Sequence, residues 1–240
     1  MRLRVVTYNI HKCCGMDRRV QPERIAQVLR KIDADVIALQ EVVRLEEDDH
    51  RRDQAEFVRA SLGQFELVFG ENRLHRGGRY GNAILSRLPM ISATNYDLTY
   101  RGRERRGCLR ADLRLGKDRV LHVFNVHLGT AFFERRHQGR RLLGSDILKA
   151  DLSGPRLVLG DFNEWTRGLT SRLLSADLEA PKLRHFVRRS RTYPGLLPLL
   201  HLDHVYHDPS LVLEHFSVYR TRTSLIASDH LPLVADFRVT

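Results

Sequence analysis

Short apolar segments recur along this sequence, and nearly every one is bounded by a polar residue able to do chemistry. Val5–Tyr8 runs into Asn9, Val36–Gln40 into Glu41, Val120–Val126 into His127, and Leu157–Gly160 into Asp161 and Asn163. The Leu199–Leu202 run leads to Asp203, and Asp229 and His230 stand immediately before Leu231–Val239. Such runs, rich in Val, Ile and Leu and bounded by turn formers, predict buried strands. A strand that enters a sheet where its neighbours leave it is antiparallel to them, so all six ends can share one rim.

The rest of the pattern fits around these points. Leu3–Tyr8 reads as a strand, Pro22–Lys31 as a helix opened by its proline, and Asp35–Leu39 as a buried strand, which makes a β-α-β start. A helix is expected over Asp53–Leu62. Strands follow at Phe65–Phe69, Tyr80–Ser86, Met90–Leu98, Cys108–Leu115 and Arg119–Val126, separated by Gly, Pro, Asn and Asp turns, so the middle is mostly antiparallel. Phe133–Lys149 places Leu142, Leu143, Ile147 and Leu148 at helical spacing before the strand Arg156–Leu159, a second β-α-β passage. The strands Leu202–Tyr206, Val212–Tyr219 and Leu231–Val239 complete two sheets with helices outside, a layered α/β sandwich. Ala180–Leu200, with three prolines, is expected to be an ordered surface loop near the site.

At 240 residues the chain is expected to be one domain spanning residues 1–240, burying roughly 70% of the surface its unfolded form exposes. No apolar run approaches the ~20 residues of a membrane span, and no apolar stretch of the roughly 7–15 residues of a leader core follows Met1. The expectation is a soluble, cytoplasmic monomer. Cys13, Cys14 and Cys108 are an odd set with two adjacent members, which predicts reduced thiols. Forty Lys and Arg against 29 Asp and Glu give a net charge of +11. Arginine supplies nearly all the excess, concentrated in Arg101–Arg110, Arg135–Arg141 and Arg184–Arg191. Its planar fork suits phosphate oxygens, so a polyanionic partner is expected, with a solvated basic surface as the plainer account.

Taken singly, the strand-end residues have bland explanations: Asn9 as a turn cap, Glu41 as an ordinary charge, Asp161 beside Gly160 as a turn signal, His127 as a satisfied core histidine. Together they supply hard oxygen ligands, a paired acid and imidazole, and amide donors.

The stretches TYNIH (Thr7–His11), LQE (Leu39–Glu41), YGNAILSR (Tyr80–Arg87), NVHL (Asn125–Leu128), GDFN (Gly160–Asn163), LDHVY (Leu202–Tyr206) and SDHLPL (Ser228–Leu233) resemble the endonuclease/exonuclease/phosphatase family, in that family's order and over nearly the whole chain. The family includes deoxyribonuclease I, abasic-site endonucleases, inositol polyphosphate 5-phosphatases and neutral sphingomyelinases. The resemblance implies a four-layered α/β sandwich, deoxyribonuclease I-like, with two mixed, mostly antiparallel sheets packed face to face. It implies Mg2+, with Mn2+ as a substitute, held by Glu41 with Asn9 and Asp229. Asp161 and Asn163 would orient the attacking water and hold the phosphoryl oxygens. His230, oriented by Asp203, would be the general base or the stabiliser of the charged phosphorane. His127 would donate to the phosphate or act near the leaving oxygen. Arg106, with Arg105 and Arg110 as neighbours able to take its place, would reach the phosphate, and Asn82 would face the site.

The sequence also departs from relatives. Deoxyribonuclease I supports its first catalytic histidine with a glutamate, and residues 77–81 here hold none. Abasic-site endonucleases carry tyrosine where this chain has His127, and no insertion forms a lipid-binding hairpin of aromatics. The leading expectation is therefore a Mg2+-dependent phosphodiesterase or nuclease. A phosphatase or phosphodiesterase for inositol phosphates or phospholipid headgroups is the second, and an inactive basic nucleic-acid-binding module the third.

Overall fold

The computed structural model describes residues 1–45, 53–165, 168–181 and 191–239. Strand β1 (Arg2–Asn9) is buried on both faces from Val5 onward and pairs in parallel with β2 (Val36–Arg44). The connection is α1 (Pro22–Ile32), whose Ile25, Val28, Leu29 and Ile32 form its buried stripe. Proline fits its first turn, where a backbone N–H would lack a partner. Asp33 closes it in a left-handed conformation, its N–H bonded to the Leu29 carbonyl. Helix α2 (Gln54–Leu62) is capped by the Asp53 carboxylate, which accepts from the Glu56 N–H. The hairpin of β3 (Glu66–His75) and β4 (Gly78–Ser86) follows, turning at Arg76 and Gly77 with φ of 49° and 82°.

The second half contains β5 (Met90–Asp97), β6 (Gly107–Arg114), β7 (Val120–His127), α3 (Phe132–Leu142), β8 (Arg156–Asp161), α4 (Leu169–Asp177), β9 (Asp203–His207), β10 (Leu211–Val218), α5 (Arg222–Ala227) and β11 (Leu233–Val239). One sheet runs β10-β11-β1-β2-β4-β3 and the other β5-β6-β7-β8-β9. Only β1 with β2 and β7 with β8 pair in parallel among the described strands, so both sheets are mixed and mostly antiparallel, as expected.

Alternation along β1 explains the layering. Leu3 and Val5 point between the sheets, where they join Val36, Ala38 and Ile84 against Leu109, Ala111, Val123, Leu157 and Leu159 of the second sheet. Val6 and Tyr8 point the other way, onto Ile25, Val28 and Leu29 of α1 and Val58 of α2. The outer face of the second sheet, through Phe124, Val126 and Val158, is covered by Leu142 of α3 and Leu174 of α4. Each buried Val, Leu, Ile or Phe among them contributes roughly 1.5–3 kcal/mol. The result is the four-layered α/β sandwich of the deoxyribonuclease I-like kind.

Several boundaries differ from expectation. The helix expected over Phe133–Lys149 stops at Leu142; beyond it the Gly144 N–H bonds to the Arg141 carbonyl and Arg141 pairs with Asp146, while Ile147 and Leu148 stay buried in turns. Helical spacing there served burial without a helix. Strand β2 does not end before Glu41: a bulge breaks its register with β4 between Leu39 and Val42, then the ladder resumes to Arg44. Helices α4 and α5 were not foreseen; α5 has six residues, too few for a period, though Thr221 and Ser224 form its capping box. Part of the expected Ala180–Leu200 loop, residues 182–190, and with it most of the Arg184–Arg191 cluster, lies outside the described residues. No described helix is long and apolar enough to cross a membrane.

Candidate active site

The two parallel pairs point their carboxyl ends to the same side, the edge at which open α/β sheets place ligands. Asn9 ends β1, and its Nδ2 donates to Asp161 Oδ2 of β8 at 3.0 Å and to Glu41 Oε1 at 3.3 Å. Its Oδ1 accepts from the His11 N–H at 3.0 Å. Asn9 thus presents its amide nitrogen to both carboxylates and aligns them. Beneath it, Gln40 and Asn125 stitch the sheets together: Gln40 Nε2 donates to Asn125 Oδ1 at 2.7 Å, and Asn125 Nδ2 donates to the Leu39 and Ala83 carbonyls.

Asp161 and Asp203 face each other as a register pair of β8 and β9. His230 Nδ1 lies 2.9 Å from Asp203 Oδ2, and its Nε2 lies 3.6 Å from Asp161 Oδ2. Burial alone would lower the His230 pKa, but the charges of Asp203 and Asp161 outweigh it and raise it, so the ring carries its proton at neutral pH. Burial raises Asp161 too, with Asp203 pushing the same way against the pull of His230. Asp161 Oδ1 accepts from the Asn163 N–H, and Asn163 Nδ2 donates to the Leu128 carbonyl at 2.9 Å. Gly160 makes this approach possible: at φ 145° a Cβ would strike the Val126 carbonyl oxygen.

His127 Nε2 lies 3.7 Å from Asp161 Oδ2, while its buried Nδ1 has no partner among the described residues. Burial first, then the charge of Arg106, drives the His127 pKa well down and keeps the ring neutral. Arg106 is itself buried; Nη2 meets Glu104 at 3.0 Å, but Nε and Nη1 have no partner among the described residues. Of its neighbours, Arg110 is held by Asp112 at 2.7 and 2.8 Å, and Arg105 is exposed. Buried guanidinium donors left without acceptors suit an incoming anion. Asn82 is fully buried, its Nδ2 donating at 3.3 Å to the Gly107 and Asn125 carbonyls, with Oδ1 unpaired among the described residues.

Glu41 sits at the β2 bulge with φ 58°, and its carboxylate meets Lys12 Nζ at 2.5 Å. Burial would raise its pKa; facing positive charge, from a protonated His127 and from Lys12, together with hydrogen bonds from Lys12 and Asn9, holds it down at about 2. With His127 neutral, Lys12 is the charge that matters. Asp229 is half-exposed beside His11 Nδ1 at 3.4 Å, and Ser228 Oγ donates to the Asn9 carbonyl at 2.8 Å. Among the described residues, five of the eight non-glycine positions with positive φ are His11, Lys12, Cys13, Glu41 and Asn163. Left-handed backbone costs roughly 1–2 kcal/mol per residue, and such strain concentrates at functional sites.

Asp161, Asp203 and His230 also place one possible ligand atom each within 4.8 Å of one another, a buried set able to hold a metal. The motifs of the sequence are matched by a family model. A model of the Endonuclease/Exonuclease/phosphatase family matches residues 6–230.

The chain belongs to this family.

Family members are metal-dependent phosphoester hydrolases, which is what a rim of carboxylates, imidazoles and a buried arginine with free donors among the described residues can support. The chain is 31% identical to the uncharacterized protein YbhP of Escherichia coli (strain K12), over 98% of this chain and 96% of that one. A crystal structure of an endonuclease/exonuclease/phosphatase from Beutenbergia cavernae is 25% identical, with a TM-score of 0.76 over 99% of this chain and 72% of that one. Another, from Bacteroides vulgatus, is 16% identical with a TM-score of 0.81 over the full length of both, a likeness of fold.

The structure gathers Asn9, Glu41, His127, Asp161, Asn163, Asp203 and His230 on one rim, with Asp229 beside His11 and Arg106 near His127. Sequence reading missed Lys12, His11 and the Gln40–Asn125 bridge. The H-K dipeptide follows Asn9 after Ile10, but only the left-handed turn aims it.

Proposed function

We propose that the chain is a divalent-cation-dependent phosphodiesterase that cleaves by direct in-line attack of water, with nucleic acid as its leading substrate. The observation that carries this reading is His230, held by Asp203 at 2.9 Å and facing Asp161 at 3.6 Å, on the rim that also holds the unpaired N–H groups of Arg106. Asp161 orients the water and takes its proton. The His230 imidazolium and the Arg106 donors meet the negative charge that builds on the phosphoryl oxygens. Asn163 and Asn9 fix Asp161, so the acceptor does not reorganise during attack.

The donor set fits a hard cation: Glu41 and Asp229 are carboxylates with side chains 19% and 27% exposed, and a cation that keeps several waters needs only one or two such ligands. Glu41 would be the principal ligand and Asp229 the second, with Asn9 aligning Glu41. The Asp203–His230 pair is spent on itself. Bound Mg2+, or Mn2+ in its place, would polarise the ester and offset developing charge.

Two of the arginine clusters adjoin, which favours a polymeric backbone. The β5–β6 loop carries exposed Arg101, Arg103 and Arg105, and α3 carries exposed Arg136 and Arg140; Tyr100 and His137 join the two elements with ring centroids 5.2 Å apart. A second reading, hydrolysis of inositol phosphates or phospholipid headgroups, is favoured by exposed Phe132 and Phe133 in the first turn of α3 and by exposed Trp165, Leu196 and Leu197 on loops.

The test is hydrolysis of supercoiled plasmid, a linear oligonucleotide and a panel of inositol and lipid phosphates, with Mg2+ and with chelator, by the unaltered chain and by His230→Ala. Nucleic-acid cleavage lost in the variant and in chelator is expected. Turnover confined to a small or lipid phosphate would move the substrate to the second reading, and turnover indifferent to both treatments would refute the site.

A further inference from the structure

None of the roles assigned above uses the Lys12 side chain, yet the backbone is bent into an unusual shape to aim it. His11, Lys12 and Cys13 are three consecutive non-glycine residues in the left-handed region, with φ of 45°, 58° and 55°. The turn is fastened to β2 on both sides of Glu41. On one side the Ile10 N–H bonds to the Gln40 carbonyl at 3.1 Å. On the other, Gln54 Nε2 donates to the Lys12 carbonyl at 2.6 Å while Gln54 Oε1 accepts from the Val43 N–H at 3.0 Å. Clamped in this way, the turn delivers Lys12 Nζ to Glu41 Oε2 at 2.5 Å, leaving Glu41 Oε1 to the Asn9 amide at 3.3 Å.

We propose that Lys12 is a resident cation that takes one oxygen of Glu41, so that the site accepts a single divalent ion and the ammonium supplies the second positive charge to the phosphate. The inference rests on the metal-dependent reading above and settles how many ions that reading needs. In two-metal hydrolases the ions sit roughly 3.5–4 Å apart, close enough for one carboxylate to serve both through its two oxygens. Here Oε2 is engaged by an ammonium, and only Oε1 is open to exchange its weak amide contact for an ion. An ammonium has three N–H donors. Glu41 takes one, and the side chain is 30% exposed, so the remaining donors can reach a phosphate oxygen as a point charge.

The test counts ions without relying on turnover. Mn2+ is titrated into the full chain and into Lys12→Met, and bound ion is read from loss of the free-ion electron paramagnetic resonance signal. Methionine keeps a non-glycine residue at the left-handed position and leaves the carbonyl that Gln54 holds, so the fold is expected to survive, as a thermal melt checks. Should it not, Lys12→Gly removes the ammonium while relieving the strained φ. The unaltered chain is expected to bind one Mn2+, and the variant to bind a second, or to bind the first at least about tenfold more tightly. Lys12→Arg, which keeps the charge, is expected to bind one. Two ions in the unaltered chain, or one ion of unchanged or weaker affinity in the variant, would overturn the inference alone. No bound Mn2+ in the unaltered chain would overturn the metal-dependent reading as well.

Discussion

Asn9 and Asp161 lie in different sheets and are joined by one hydrogen bond, from Asn9 Nδ2 to Asp161 Oδ2, at 3.0 Å. That bond fixes the distance between the two halves of the site, since Asn9 also donates to Glu41 and Asp161 also faces His127 and His230. Asn9→Leu removes the donor to Oδ2 of the buried Asp161 carboxylate and leaves the Asn163 N–H on Oδ1. The expected cost is about 1–3 kcal/mol of stability, read by urea denaturation, together with a loss of activity larger than the stability change explains. A variant as active and as stable as the parent would show the bond to be incidental.

Asp203 acts through His230. Asp203→Asn keeps the volume but removes the charge that holds the ring protonated and in one orientation. In serine proteases the comparable change lowers kcat by about 10⁴; a fall of roughly 10²–10⁴ in kcat with KM nearly constant is expected here. A change confined to KM would place Asp203 outside the chemistry.

Arg106 offers buried donors, whereas Arg105 is exposed and Arg110 is already paired. Arg106→Met is expected to lower kcat/KM by roughly 10–100-fold, the worth of about 1.5–3 kcal/mol for a hydrogen bond to a charged group. Arg105→Met serves as the comparison and is expected to stay near the parent. Equal losses in both would mean that a diffuse basic surface, not a positioned guanidinium, meets the phosphate.

Much of this was legible in the sequence because strands buried on both faces leave little doubt about where they lie, and because their ends carry polar residues in fixed order. Glu41 and Lys12 show the limit. Glu41 looked like punctuation after a strand, but it occupies a bulge within one, which re-aims its side chain without ending the ladder. Lys12 reaches Glu41 only through three left-handed residues, a backbone choice that no side-chain pattern announces. The partner of His127 could not be found in the sequence for a physical reason: its Nδ1 has none among the described residues. Arg106 could be separated from the exposed Arg105 only by burial and from Arg110 only by the Asp112 pairing, both set by how the strands pack.

A fourth expectation concerns stability and pH, away from the site. Asp112 accepts from Arg110 at 2.7 and 2.8 Å, from Ser92 at 2.7 Å and pairs with His122 at 2.7 Å. Burial would raise its carboxyl, but the His122, Arg110 and Ser92 hydrogen bonds together hold it well below the usual range. A carboxylate depressed in the folded state stabilises above its unfolded pKa, about 3.9, and that contribution is lost as pH falls toward its folded value. Asp112→Asn is therefore expected to cost about 2 kcal/mol at neutral pH, and the gap between parent and variant to narrow below roughly pH 4. Denaturation midpoints across pH would show it; a gap independent of pH would mean that the charge is not what stabilises.

The central claim is that Glu41, at its bulge, organises a cation-dependent site for phosphoester hydrolysis. The most direct measurement is turnover of a phosphodiester by Glu41→Ala against the parent in Mg2+, with the fold of the variant verified by circular dichroism. The account predicts a folded variant at least roughly 10³-fold slower, on the scale of removing a group that stabilises transition-state charge. A folded Glu41→Ala that turns over at the parent's rate would contradict it.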